Sequence, residues 1–170
     1  MLARNETIFK WLLYGMATLL CVLVQGGLLQ RITVWGVIPF LYPVVAAVVG
    51  TLEGPSSGGV YALVLGVFCD TLLPGSIPCF YTLIFPLVSI CSGLLSKGIL
   101  AAGMLCSFIS SALAFLLTDG FHCLLLWFNG TPAWKAGAWV MVREFCVTAL
   151  LIFPITWLFR AVFRRTHLYD

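Results

Sequence analysis

The sequence predicts an all-α protein, a polytopic membrane helix bundle of about six transmembrane helices forming a single transmembrane domain over residues 1–170. Three observations predict it. Hydrophobic residues make up 62% of the chain and charged residues 9%. Soluble domains carry about 25% charged residues, so this chain cannot cover a water-facing surface. The apolar runs are long and continuous rather than alternating, which points to helices and excludes an outer-membrane barrel. At about 20 residues per crossing, the 170 residues leave room for five or six spans and no separate soluble domain.

Breakers and charges mark the elements in order. The first span is Phe9–Leu29, closed by Gln30-Arg31. Its apolar stretch is long for a signal-peptide core, and no small-x-small cleavage site precedes Gln30, so it reads as a retained span. The second is Val34–Gly50, where Pro39 and Pro43 predict a kinked or broken helix. The third, Ser57–Leu73, ends at Pro74-Gly75, and the fourth, Ile77–Leu95, contains Pro86. The fifth runs from Ile99 to Leu117, and the last from Gly137 to Phe163. Between them, Thr118–Ala136 is broken by Asp119-Gly120 yet carries the aromatic-rich run Phe121–Phe128. This segment either extends the fifth helix or lies along the interface, where Trp127 and Trp134 fit, with a re-entrant turn as a third form.

Basic residues set the orientation. With six spans, Arg4, Lys10, Lys97, Arg160, Arg164 and Arg165 fall on one side and Arg31 and Lys135 on the other. Six against two places both termini in the cytoplasm. The same topology gathers Asp70, Asp119, His122, Arg143 and Glu144 near the outer face. Lipid-facing charges are costly, at roughly 2.5–3.5 kcal/mol each near a helix centre. Either Arg143 pairs with Asp70 or Asp119 and ties the third, fifth and sixth helices together, or each group snorkels separately to interfacial water. Ala62, Gly66 and Asp70 share a face of the third helix with Gly59, and Gly103, Ser107 and Ser111 share one on the fifth. Such small-residue faces let helix backbones approach closely.

Catalytic patterns are missing. The chain has no phosphate-binding Gly-Lys loop, no His-Glu-x-x-His and no Gly-x-Ser-x-Gly. Its two histidines are His122 and His167, and neither serine pair has a base in evident reach. The seven cysteines lack metal-ligand spacing and mostly fall in apolar runs, where cysteine acts as a small hydrophobe. No catalytic residue, cofactor or metal is therefore expected. The net charge of +3 comes from span ends and does not mark a nucleic-acid partner.

One stretch carries a family resemblance. Pro39-Phe40-Leu41, then Glu53-Gly54-Pro55, Gly58-Gly59, Gly66 and Asp70, resembles the central region of the MreD family, with Gly93-Leu94-Leu95 and the chain length in support. These are small multi-pass proteins of the bacterial cytoplasmic (inner) membrane that take part in rod-shape maintenance. The resemblance runs from Val37 to Lys97. It implies a non-enzymatic component of the cell-elongation machinery that organises an MreC-like protein and peptidoglycan synthesis. The other implied partners are a RodA-type glycosyltransferase, a class B penicillin-binding protein and, indirectly, MreB filaments. Glu53, Gly54, Pro55, Gly59, Gly66 and Asp70 would then be structural or partner-contacting, with Asp119, Arg143 and Glu144 as further candidates. Phe121–Phe128 and Trp134 would offer a surface for the MreC membrane helix. The chain also resembles the substrate-binding subunits of energy-coupling-factor vitamin transporters, which are bundles of six short spans. On that alternative the outer polar cluster is a vitamin pocket, with Trp35, Trp127, Trp134 and Asp70 as its contacts. Ala46–Gly50 or Gly103–Ser107 would be the coupling face.

Overall fold

The computed structural model describes residues 2–73, 78–98, 103–128, 130 and 134–166. Among them are six α-helices: α1 (Leu2–Gly27), α2 (Tyr42–Glu53), α3 (Pro55–Leu72), α4 (Phe80–Gly98), α5 (Met104–Phe128) and α6 (Trp134–Thr166). Four of them (α1, α4, α5 and α6) are long and apolar enough to cross a membrane. The expected starts at Ile77 and Ile99, and the Pro74-Gly75 stop, lie outside the described residues.

The centre of the bundle is α2. Its sequence is apolar on every side, and every residue from Tyr42 to Thr51 is buried, as a helix without a polar face requires. The helix is shorter than the expected span Val34–Gly50, because residues 32–41 are not helical. Pro39 biases the residue before it away from helical backbone, and Pro43 sits in the first turn, where its missing amide costs nothing, so the helix starts at Tyr42. Twelve residues reach only about 18 Å, against roughly 30 Å of hydrocarbon.

The non-helical entry to α2 needs partners for its backbone, since apolar surroundings offer none. Gln25 of α1 supplies two. Its Nε2 donates to the Pro39 carbonyl at 2.8 Å, and its Oε1 accepts from the Leu41 amide at 3.0 Å. The Thr148 hydroxyl of α6 accepts from the Phe40 amide at 3.2 Å. Gln25 is 4% exposed and Thr148 fully buried.

Gly54 joins α2 to α3. Its φ of +85° suits glycine, and it serves both helices: its amide donates to Gly50 and its carbonyl accepts from Gly58. Pro55 then opens α3 at a position where no amide is needed. Small residues bring α2, α3 and α4 into backbone contact. A Cβ added to Gly66 would lie 2.5 Å from the Tyr81 carbonyl oxygen, and one on Gly93 would lie 2.6 Å from the Pro55 nitrogen. One on Gly50 would overlap Ser89.

The helices alternate in direction. At one end Lys10 pairs with Glu53, Ser96 donates to the Thr51 carbonyl, and Tyr14 stacks on Phe159. At the other end Gln25 holds the α2 entry, Asp70 meets the start of α4, and Phe80 packs on His122. The start of α1 and the end of α6 therefore share one end of the bundle. The segment after Thr118 continues α5 to Phe128 rather than breaking at Asp119-Gly120. A glycine inside a helix costs only about 1 kcal/mol, and α5 recovers it by packing on α6 through Phe108, Phe115 and Phe145. At 25 and 33 residues, α5 and α6 run about 38 and 50 Å, well beyond the hydrocarbon thickness.

Close packing at the glycines gives a direct expectation. Gly66→Ala and Gly93→Ala each force backbone apart and lower stability by about 1–3 kcal/mol. Gly120→Ala meets nothing within 4 Å and leaves stability unchanged or slightly raised. Thermal unfolding of the purified protein in detergent distinguishes the two classes.

Candidate functional site

The carboxylates and the arginine singled out in the sequence occupy one end of the bundle in three separate arrangements, and Glu53 sits at the other end.

Asp70 caps α4. The residue before that helix, Cys79, has φ +59°, and the helix's early amides have no partner within it. Asp70 reaches across from α3 and satisfies them. Its Oδ1 accepts from the Tyr81 amide at 3.0 Å, and its Oδ2 accepts from the Thr82 amide and hydroxyl at 2.9 and 2.6 Å. The carboxylate thus faces the positive end of a helix, which stabilises an anion without a basic side chain. Gly66, one turn earlier, lets α3 come close enough for this reach.

Of the two arrangements open to Arg143, pairing with Asp70 or Asp119 is not made. Arg143 lies on the opposite side of α6 from the carboxylates. Its Nη1 donates to the Trp35 carbonyl at 3.2 Å, and its guanidinium sits 5.0 Å from the centre of the Trp139 ring. Equal depth did not bring the charges together because the helix rotates about 100° per residue. Arg143 and its neighbour Glu144 therefore face different hollows.

Glu144 shares its hollow with Asp119 and His122. This cavity, of about 260 Å³, is walled by Phe40, Phe80, Tyr81 and Thr118. Asp119 and His122, three residues apart, both line it, and no hydrogen bond joins them among the described residues. Asp119 Oδ2 is buried without a hydrogen-bond partner. The cavity combines carboxylates, an imidazole and aromatic rings, a lining suited to holding a small polar heterocycle.

Glu53 is not presented for contact. Its carboxylate is 3% exposed, paired with Lys10 and hydrogen-bonded by the Tyr14 hydroxyl at 2.7 Å. The neighbouring Tyr61 and Thr18 hydroxyls meet, and Trp11 stacks on Tyr61. Glu53, Gly54, Pro55, Gly59, Gly66 and Asp70 all belong to the α2–α3–α4 joint or its tie to α1. Lys10, Tyr14, Gln25 and Thr82 were not foreseen as part of it. A lone amide inside the first apolar run was the available signal for Gln25.

All seven cysteines are free, and no group of three metal-ligating side chains exists among the described residues. The fold and its polar ends define an all-helical membrane bundle. No family model, curated protein or solved structure matches the chain.

Asp70→Ala removes three hydrogen bonds at once and should cost about 2 kcal/mol or more. Exchanging Asp70 and Arg143 should not restore the loss, since the two never meet. Melting temperatures of the two single variants and the double variant test both statements.

Proposed function

We propose that this chain is a non-enzymatic component of the bacterial cell-elongation machinery, resembling MreD, that organises an MreC-like protein and peptidoglycan synthases in the cytoplasmic membrane. The observation that carries the reading is the use made of the resembling residues. Glu53, Gly54, Pro55, Gly59, Gly66 and Asp70 converge on one rigid helical joint, and none is offered to a substrate. A protein whose most distinctive residues build a frame acts through its surfaces. The chain crosses the membrane six times, with α2 and its extended entry together making the second crossing. The basic excess at the end shared by both termini supports a cytoplasmic position for them. On the outer side, the end of α5 exposes Phe121, Trp127 and Phe128, a surface for the single membrane helix of an MreC-like partner.

The cavity beside Asp119 favours a second reading, as a vitamin-binding subunit of an energy-coupling-factor transporter. It opens at the outer end, where such a subunit receives its ligand, and its aromatic and carboxylate lining suits a heterocycle.

Depletion in the source cells separates the readings. Rounding of rod-shaped cells without a vitamin-uptake defect is the outcome expected for the elongation component, whereas a tightly bound vitamin in the purified protein would reverse the choice. A photocrosslinker at Trp127 should capture an MreC-like protein. Its failure to do so in cells that do round up on depletion would remove the proposed contact while leaving the function standing.

A further inference from the structure

The hollow on the other side of α6 has a different character. It encloses about 400 Å³ and is lined by Trp35, Trp139, Val142, Arg143 and Cys146. Arg143 is its one charged group, and no carboxylate meets it among the described residues. A guanidinium has five N–H donors, of which one is used, on the Trp35 carbonyl. Trp35 is 69% exposed and Trp139 59%, so two open indoles line the hollow that holds the cation.

Trp35 is held there against its own preference. Its φ is +54° and that of Gly36 is +79°, the mirror-image turn that asparagine and glycine favour. A tryptophan in this backbone costs on the order of 1 kcal/mol. The turn is fixed by reciprocal hydrogen bonds between Val34 and Val37, at 3.0 and 3.1 Å, and by Arg143 on its carbonyl.

Depth along α6 fits a lipid headgroup. From Arg143 to Arg164 the helix rises about 32 Å, close to the thickness of the hydrocarbon layer. Arg143 therefore lies at one interface, with the basic tail at the other. Starting beside it at Val142 and continuing below through Cys146, Leu150 and Phe153 is one exposed stripe. From Arg143 to Phe153 is about 15 Å, the depth of one leaflet.

We propose that this hollow binds the phosphate of a membrane lipid on Arg143, with the acyl chain lying along the Val142–Phe153 stripe of α6. A guanidinium matches a phosphate through paired N–H donors. The indoles flank the glycerol region, where tryptophan is favoured. Arg143 thus gains from the lipid the anionic partner that the protein withholds. This site is independent of the elongation reading.

The test uses the full chain purified in detergent and two lipids with identical diazirine-bearing tails, phosphatidylglycerol and diacylglycerol, with adducts mapped by mass spectrometry. Phosphatidylglycerol should label residues 139–153 preferentially, while diacylglycerol labels them no more than the exposed face of α4 around Leu83 and Leu87. Arg143→Gln should lower phosphatidylglycerol labelling of that stretch about tenfold relative to α4, the effect of losing one charge-assisted contact. Equal labelling of the stretch by the two lipids in the unmodified protein overturns the proposal without any variant. Undiminished labelling in Arg143→Gln also overturns it. Displacement of the lipid by millimolar inorganic phosphate does so too, by assigning the hollow to a soluble phosphate.

Discussion

In a hydrocarbon layer no backbone amide or carbonyl can be left for solvent to satisfy, and this constraint accounts for the placement of the polar side chains that join one helix to the next main chain. Asp70 closes the first turn of α4 from a neighbouring helix. Gln25 stands in for a β-strand partner along the entry to α2, and Thr148 supplies a third contact from α6. Ser111 and Thr118 return their hydroxyls to carbonyls in the preceding turn of their own helix. Of the charged groups that stand out in the sequence, Asp70 and Arg143 serve the main chain of a neighbouring element. The glycines follow from the same requirement, because a side chain can cap a foreign helix only where the two backbones nearly touch.

The all-helical class, the existence of α1 and α4, the bounds of α3 to within two residues and the close-packed glycine of its face were legible in the sequence, because each depends on local pattern. Continuous apolar runs bounded by charges and prolines define helices wherever they later pack. The interruption at Pro39 and Pro43 was legible too, though its extent was not. Residues 32–41 are as apolar as a span, and only the amide of a glutamine distant in the chain tells the two forms apart. The continuation of α5 through Asp119-Gly120 was one of the forms the sequence left open, and it could not be singled out for a related reason. Local signals there favour a break, and packing of Phe108 and Phe115 against Phe145 overrides them. For the candidate site, depth was readable and azimuth was not. Counting residues places Asp70, Asp119 and Arg143 at one level, but pairing also depends on how each helix is turned about its axis.

That turning gives α6 two unlike sides at the same height. Glu144 looks into a carboxylate- and aromatic-lined cavity of the bundle, while Arg143 looks into a hollow lined by Trp35 and Trp139. Neighbouring residues of opposite sign are thus kept apart by the helix itself. An internal ion pair between them would have neutralised both hollows. The chain instead keeps a carboxylate-lined interior and a cationic rim at the end away from its termini.

The short central helix also bears on how the protein comes to be inserted. A segment of twelve helical residues with an extended entry cannot partition into a bilayer as an independent unit. Its polar backbone requires Gln25, which is synthesised before it, and Thr148, which is synthesised more than a hundred residues later. Until the last helix has been made, the middle of this protein has an exposed amide at Phe40 and an incomplete wall around α2. The entry to α2 is therefore completed late, only once α6 is in place. A nascent form truncated before α6 is the kind of substrate that membrane insertases and quality-control proteases would hold or destroy.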